Sequence, residues 1–131
     1  MTMTVIKNLF KQYNFHPSKR LGQNFLIDKK IHLKIIQAAD LSPKDIVLEI
    51  GPGLGVLTKE LAKRAGWVMA VEKDKRLVEI LKENLKDIEN IRVIKGDILD
   101  CGVGAAPLEQ GFRGKTGAAP REQGLRALLQ W

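Results

Sequence analysis

One cysteine, two histidines and one tyrosine in 131 residues remove several classes of function at the outset. Cys101 alone excludes an internal disulfide framework and any cysteine-rich zinc site. His16 and His32 are too few for a metal centre, and His32 falls in a helical pattern as a surface or flank residue. No apolar run approaches the roughly 20 residues of a membrane span, and the N-terminus lacks a signal peptide's uninterrupted apolar core. A soluble protein of the cytoplasm is the expectation, with no membrane partner. Apolar residues make up 44% of the chain, enough for a modest core in about one domain.

Acidic residues are scarce in one place only. The net charge is +7, yet up to residue 34 the chain has a single acid, Asp28, among seven Lys and Arg, while residues 35–100 nearly balance. A basic segment beside a near-neutral domain suits contact with a phosphate backbone, since each neutralised phosphate releases counterions. A solvated helix face with ordinary lysines is the plainer reading of the same charges.

What the sequence does have is Ile46-Val-Leu-Glu-Ile-Gly-Pro-Gly-Leu-Gly55, an apolar strand running into a turn with glycine at every second position. Gly51, Gly53 and Gly55 let the main chain bend and let a ligand approach it closely. Val56, Leu57, Leu61, Ala62 and Ala65 then continue at helical spacing. A dinucleotide site would use Gly-x-Gly-x-x-Gly; here the third glycine comes one residue early and Val56 stands in its place, which argues against NAD. Trp67-Val-Met-Ala-Val71 ends in Glu72, placed to accept hydrogen bonds from a ribose diol. Ile91-Arg-Val-Ile-Lys95 leads into Gly96-Asp97-Ile98, where Asp97 could read an adenine amino group and Ile98 could pack on the base. Loop, acid and acid at three successive strand tips suit an adenosine-bearing ligand without a pyrophosphate, of which S-adenosylmethionine is the common one. Taken singly, each piece is also an ordinary turn or strand end.

Around these strands the periodicity predicts helices. Ile6, Leu9, Phe10 and Tyr13 share a face of a first helix over 4–14 that Pro17 ends, with Lys7 and Lys11 elsewhere on it. Asp28 is a good N-cap for a second, with Ile31, Ile35, Ile36 and Ala39 facing inward and Ser42-Pro43 closing it. Gly66 fits the stop of the helix after the glycine loop. Asp74 caps another, with Leu77, Ile80, Leu81 and Leu85 on one side. Strand, helix, strand, helix, strand begins a right-handed doubly wound sheet.

From Cys101 onward the character changes. Gly104-Ala-Ala-Pro-Leu-Glu-Gln-Gly-Phe-Arg113 recurs as Gly117-Ala-Ala-Pro-Arg-Glu-Gln-Gly-Leu-Arg126. Two copies without an apolar face make no repeat architecture, so 101–131 is expected to be a disordered low-complexity tail, with a helical turn only at Leu125 to Trp131.

Lys19-Arg-Leu-Gly-Gln-Asn-Phe-Leu26, Glu49-Ile-Gly-Pro-Gly-Leu-Gly55, Ala70-Val-Glu-Lys-Asp74 and Gly96-Asp-Ile-Leu99 together closely resemble the ribosomal RNA adenine dimethyltransferases of the KsgA type, over residues 4 to 100. The Gln-Asn-Phe-Leu element is the specific part. The resemblance implies the first half of a Rossmann-like class I methyltransferase fold, an α/β architecture with three parallel strands. Charge and composition divide the chain into a basic N-terminal helix and connector (1–34), a partial S-adenosylmethionine-binding domain (35–100) and the tail (101–131). The resemblance further implies a cofactor site of Gln23, Asn24, Leu26, Gly51, Gly53, Glu72, Lys73, Asp97 and Ile98, and rRNA contact through Lys7, Lys11, Lys19 and Arg20. The activity implied is N6,N6-dimethylation of two adjacent adenines near the 3′ end of small-subunit rRNA, on the rRNA or a pre-ribosomal particle. Erythromycin-resistance methyltransferases of large-subunit rRNA share the N-terminal motif, and a non-catalytic RNA-binding module is a further alternative. Family members also carry an Asn-Leu-Pro-Tyr type motif at the end of a fourth strand, which grips the target adenine. Gly102 to Gly117 contains no Asn and no Tyr, so the expectation is a truncated enzyme with no catalytic residue and an exposed edge on its first strand.

Overall fold

A computed structural model describes residues 3–16, 29–100 and 125–129. Helix α1 (Met3–Gln12) and helix α2 (Lys29–Ala39) precede strand β1 (Ile46–Ile50), helix α3 (Val56–Ala62), strand β2 (Trp67–Glu72), helix α4 (Lys75–Leu85), strand β3 (Ile91–Lys95) and strand β4 (Leu125–Leu129). The strands form one parallel sheet in the order β3-β2-β1-β4. α2 runs across residue 34, where the charge pattern places a boundary.

Strand pleating sends alternate side chains to opposite faces, and the packing follows that alternation. Val47 and Val68 join Ile36 of α2, Leu57 and Leu61 of α3, and Ala65 in one cluster. Leu48, Met69 and Val71 form another on the opposite face, with Ile50, Ile94 and Ile98 packed against it. A third cluster holds Leu54 of the glycine loop, Leu77 and Ile80 of α4, and Phe15, with Phe10, Tyr13 and Val56 at its border. All four apolar positions read on α4 are buried, and Asp74 is its N-cap, accepting from Arg76 N at 2.9 Å.

The helix ends depart from expectation. α1 ends at Gln12, within the expected 4–14 span but by backbone geometry ahead of Pro17: Asn14 sits in the left-handed region (φ 46), its N–H bonds Lys11 O at 3.2 Å, and Phe15 N–H reaches back to Phe10 O at 2.7 Å. The Phe10 and Phe15 rings meet at 5.3 Å, the apolar contact that accompanies this kind of helix stop. Asp40, also at φ 46, ends α2 before Ser42-Pro43 is reached. On α2 the expected Ile35 and Ile36 do pack on the core, but Ile31 and His32 exchange places. His32 and Ile36 are buried while Ile31 is 42% exposed, because positions 32 and 36 lie one above the other on the face that meets the sheet. Gly66 is required by crowding, not by a helix stop: a Cβ there would lie 2.3 Å from the Pro43 carbonyl oxygen.

β4 adds to the three expected strands and corrects two expectations. Leu125–Leu129 is extended where a helical turn was anticipated, and it pairs in parallel with β1 from Ile46↔Leu125 to Ile50↔Leu129. β1 is therefore an inner strand, not an edge. The physical reason is that a buried strand's open N–H and C=O groups need partners, and five residues of any extended segment can supply them.

Candidate functional site

The glycine loop leaves β1 at its C-terminal end and is held down at both sides. Gly51 N–H bonds Val71 O of β2 at 2.9 Å, Gly55 N–H closes a turn on Pro52 O at 3.0 Å, and Leu54 is buried among Phe15, Leu77 and Ile80. Gly51, Gly53 and Gly55 have φ of 71°, 59° and 78°, a region that side chains with a Cβ rarely adopt. At Gly55 a Cβ would also lie 2.9 Å from Leu81 Cδ2. A non-glycine residue here would carry left-handed backbone strain and crowd the Leu81 and Leu85 side chains of α4.

Glu72 ends β2 beside this loop and is only 5% exposed. Burial raises its carboxyl above the ordinary value, while the backbone N–H groups of Asp74, Gly53 and Lys73 pull it back toward the charged form. The Asp74 bond is 2.9 Å, to Oε1. The Gly53 contribution brings together the loop and the acid, two features 19 positions apart that the sequence assigned to one ligand. Asp97 follows β3 half-buried; its Oδ1 accepts from Leu99 N–H at 3.0 Å, which fixes the turn. The main chain of β2 and β3 meets just there, with Gly96 N–H on Glu72 O at 3.0 Å. Ile98 packs against the Leu48, Met69 and Val71 cluster, and Lys73 is exposed at the rim. Gly51, Gly53, Glu72, Asp97 and Ile98 thus stand on three adjacent strand ends. Gln23, Asn24 and Leu26 lie outside the described residues, as do Lys19 and Arg20. Lys7 and Lys11 are exposed on α1.

Two features of this region escape sequence reading. Glu49, on β1, is fully buried; burial pushes its carboxyl up to about 7, opposed in part by the Thr58 hydroxyl. That hydroxyl lies beside it without completing a hydrogen bond, and neither Glu49 oxygen has a hydrogen-bond partner among the described residues. Asn90, before β3, donates Nδ2–H to Ala62 O at 2.8 Å and Ala65 O at 3.2 Å, satisfying carbonyls at the end of α3. The alternation of β1 could have put Glu49 on the inner face; nothing local marks Asn90.

A glycine cradle of left-handed backbone, a buried acid that shares a loop N–H, and a second acid at the next strand end fit an adenosine-bearing cofactor. Comparison with known proteins agrees. Residues 14–115 match the family described as ribosomal RNA adenine dimethylase. Among curated relatives, the ribosomal RNA small subunit methyltransferase A of Pelotomaculum thermopropionicum is 52% identical over 96 residues, 73% of this chain and 32% of that protein. A probable ribosomal RNA small subunit methyltransferase A of Pyrococcus furiosus is 50% identical over 86 residues, 66% of this chain and 31% of that protein. Among solved structures, the 23S rRNA methyltransferase ErmE superposes with a TM-score of 0.57 at 47% identity, covering 59% of this chain and 32% of its own. A dimethyladenosine transferase from Plasmodium falciparum gives 0.56 at 35% identity, covering 59% and 29%. The chain spans about a third of the length of the curated relatives it matches. By this match and by the loop and acids that carry it, the chain belongs to the ribosomal RNA adenine dimethylase family.

Proposed function

We propose that residues 35–100 are the S-adenosylmethionine-binding part of an rRNA adenine dimethyltransferase acting on small-subunit rRNA, and that this chain alone does not complete the reaction. The observation that carries the reading is the Glu72 carboxylate, buried at the end of β2 beside the glycine cradle, where the Gly53 N–H favours its charged form. Glu72 accepts from the ribose hydroxyls, Gly51 and Gly53 admit the methionine part against bare backbone, Asp97 accepts from the adenine amino group, and Ile98 packs on the base. Gln23, Asn24 and Leu26 border the entry side, with Lys73 at the rim. Lys7, Lys11, Lys19 and Arg20 contact rRNA phosphates, on free rRNA or a pre-ribosomal particle in the cytoplasm. The bound cofactor supplies a sulfonium methyl for in-line displacement by an adenine N6.

That nitrogen's lone pair is delocalised, so alignment of the acceptor is the main lever, and effective molarities put proximity at roughly 7 to 11 kcal/mol. β4 lies beside β1, where the family's fourth strand would carry its Asn-Leu-Pro-Tyr type segment, but its sequence is Leu-Arg-Ala-Leu-Leu. It offers no clamp for the target base. Titration calorimetry should give S-adenosylmethionine binding weaker than micromolar, abolished by Glu72→Ala; an unchanged affinity in that variant would refute the ribose assignment. Labelled methyl groups should not enter small-subunit particles lacking the dimethyladenosines unless a relative's downstream residues are joined after Asp100. Labelling of large-subunit rRNA instead by that chimaera would favour the ErmE-like reading, which the 47% identity to that structure keeps in view.

A further inference from the structure

The turn after β2 connects the cofactor acid to the N-terminal helix. Asp74 donates its backbone N–H to Glu72 Oε1 at 2.9 Å, and its own carboxylate is gripped by Arg76: Oδ1 accepts from the Arg76 backbone N–H at 2.9 Å and from Nε at 3.2 Å, and Oδ2 accepts from Nη2 at 2.9 Å. The same guanidinium lies 4.8 Å from the centre of the Phe15 ring. Phe15 is 3% exposed, is fastened to α1 through Phe10 O, and packs with Leu54 at the tip of the glycine loop. One side chain therefore touches both the residue that orients Glu72 and the residue that seats α1 on the loop.

We propose that Arg76 is a positioning residue for the cofactor site, which holds the Asp74 turn against Glu72 and ties the seating of the N-terminal helix to that carboxylate. The proposal rests on the reading of Glu72 as the ribose acceptor. An exposed ion pair at a helix N-cap is ordinarily worth little, and its loss would then touch only stability. Here the partner of the ion pair is itself charged and next to a buried acid. The Asp74 charge is among the influences that favour the protonated form of Glu72, and that charge is paired with the Arg76 guanidinium at 2.9 Å. Among the described residues, the other ionisable groups near Glu72 are Lys73 on its own turn, Lys95 in register on β3, Asp97 beyond that strand, and Glu49 on the same face of β1. Arg76 lies over the Phe15 ring, and that cation–π contact makes it a link to α1.

The test uses the full chain with Arg76→Ala, Arg76→Lys and Arg76→Met, the last keeping aliphatic cover over Phe15 should the alanine variant fail to fold. Without ligand, carbon-detected NMR should find the Glu72 carboxyl titrating at higher pH in Arg76→Ala and Arg76→Met and returning most of the way in Arg76→Lys. S-adenosylhomocysteine binding at neutral pH, by calorimetry, should weaken several-fold in the first two and recover in the lysine variant. Lowered melting temperatures with the Glu72 titration and the affinity both unchanged would reduce Arg76 to a helix cap and overturn the proposal. A titration that moves with Arg76 in a chain that binds no S-adenosylhomocysteine would support the linkage and defeat the cofactor reading alone.

Discussion

Replacing Glu49 by glutamine should remove a pH dependence that this buried carboxyl imposes on the fold. The residue lies on the β1 face that Val47 shares with α2 and α3, with no exposed surface and no hydrogen bond to either oxygen among the described residues. Burial lifts its pKa from 4.5 to about 7, against the lesser opposing influence of Thr58. The folded chain thus holds this proton more tightly than the unfolded chain does. Its contribution to stability is full below pH 4.5, declines as pH rises between 4.5 and about 7, and is lost above that. The shift corresponds to about 3 kcal/mol, a sizeable part of the roughly 5–15 kcal/mol that holds a domain together. Urea unfolding followed by circular dichroism, run from pH 4.5 to 8 on both proteins, isolates the term. The amide adds a constant offset and other titrating groups cancel, so the gap should move in favour of Glu49→Gln by about 3 kcal/mol across the range. Parallel curves would refute the argument, because they would mean that Glu49 is ionised and solvated in the folded chain.

Two further substitutions and a deletion probe the scaffold. Gly66→Ala places a methyl 2.3 Å from the Pro43 carbonyl oxygen, backbone that has nowhere to go, and should cost about 3 kcal/mol in the same unfolding assay; a neutral result would reject the close approach. Asn90→Ala strips the donors from Ala62 O and Ala65 O and should cost about 1–2 kcal/mol, with faster amide exchange at the end of α3 as its local signature. Deleting residues 125–131 bares the β1 edge and should produce concentration-dependent association in sedimentation velocity, whereas a deletion that stays monomeric would show that β4 is dispensable as an edge cover.

Much of the fold was legible because its signals are local. β1, β2 and β3 are short apolar runs that end at the glycine loop, Glu72 and the Gly96-Asp97 turn, and α4 announces itself through Asp74 and four apolar residues on one side. The clustering of the candidate residues was legible for the same reason: in a parallel sheet, consecutive strand ends fall side by side, so order along the chain becomes proximity in space. What stayed hidden depends on distant partners. Either His32 or Ile31 could face inward until the rotation of α2 was fixed by its packing on α3 and the sheet. Asn14 and Asp40 end their helices through left-handed backbone, which these residue types tolerate but do not compel, so the prolines further on looked like the stops. Leu125–Leu129 has no alternation to mark it; it is a strand because β1 offers a place to pair.

The sheet order also sets a sequence of events during folding. β1 with β2, and β2 with β3, join segments about 20 residues apart, whereas β4 reaches β1 across about 80 residues. The logarithmic growth of closure entropy makes the longer connection dearer by about 1 kcal/mol before any pairing compensates for it. Closure entropy thus favours early assembly of the βαβαβ unit, whose β1 flank is then a ready template for β4. The glycine loop, Glu72 and Asp97 all belong to that unit, so their placement does not wait on the final strand.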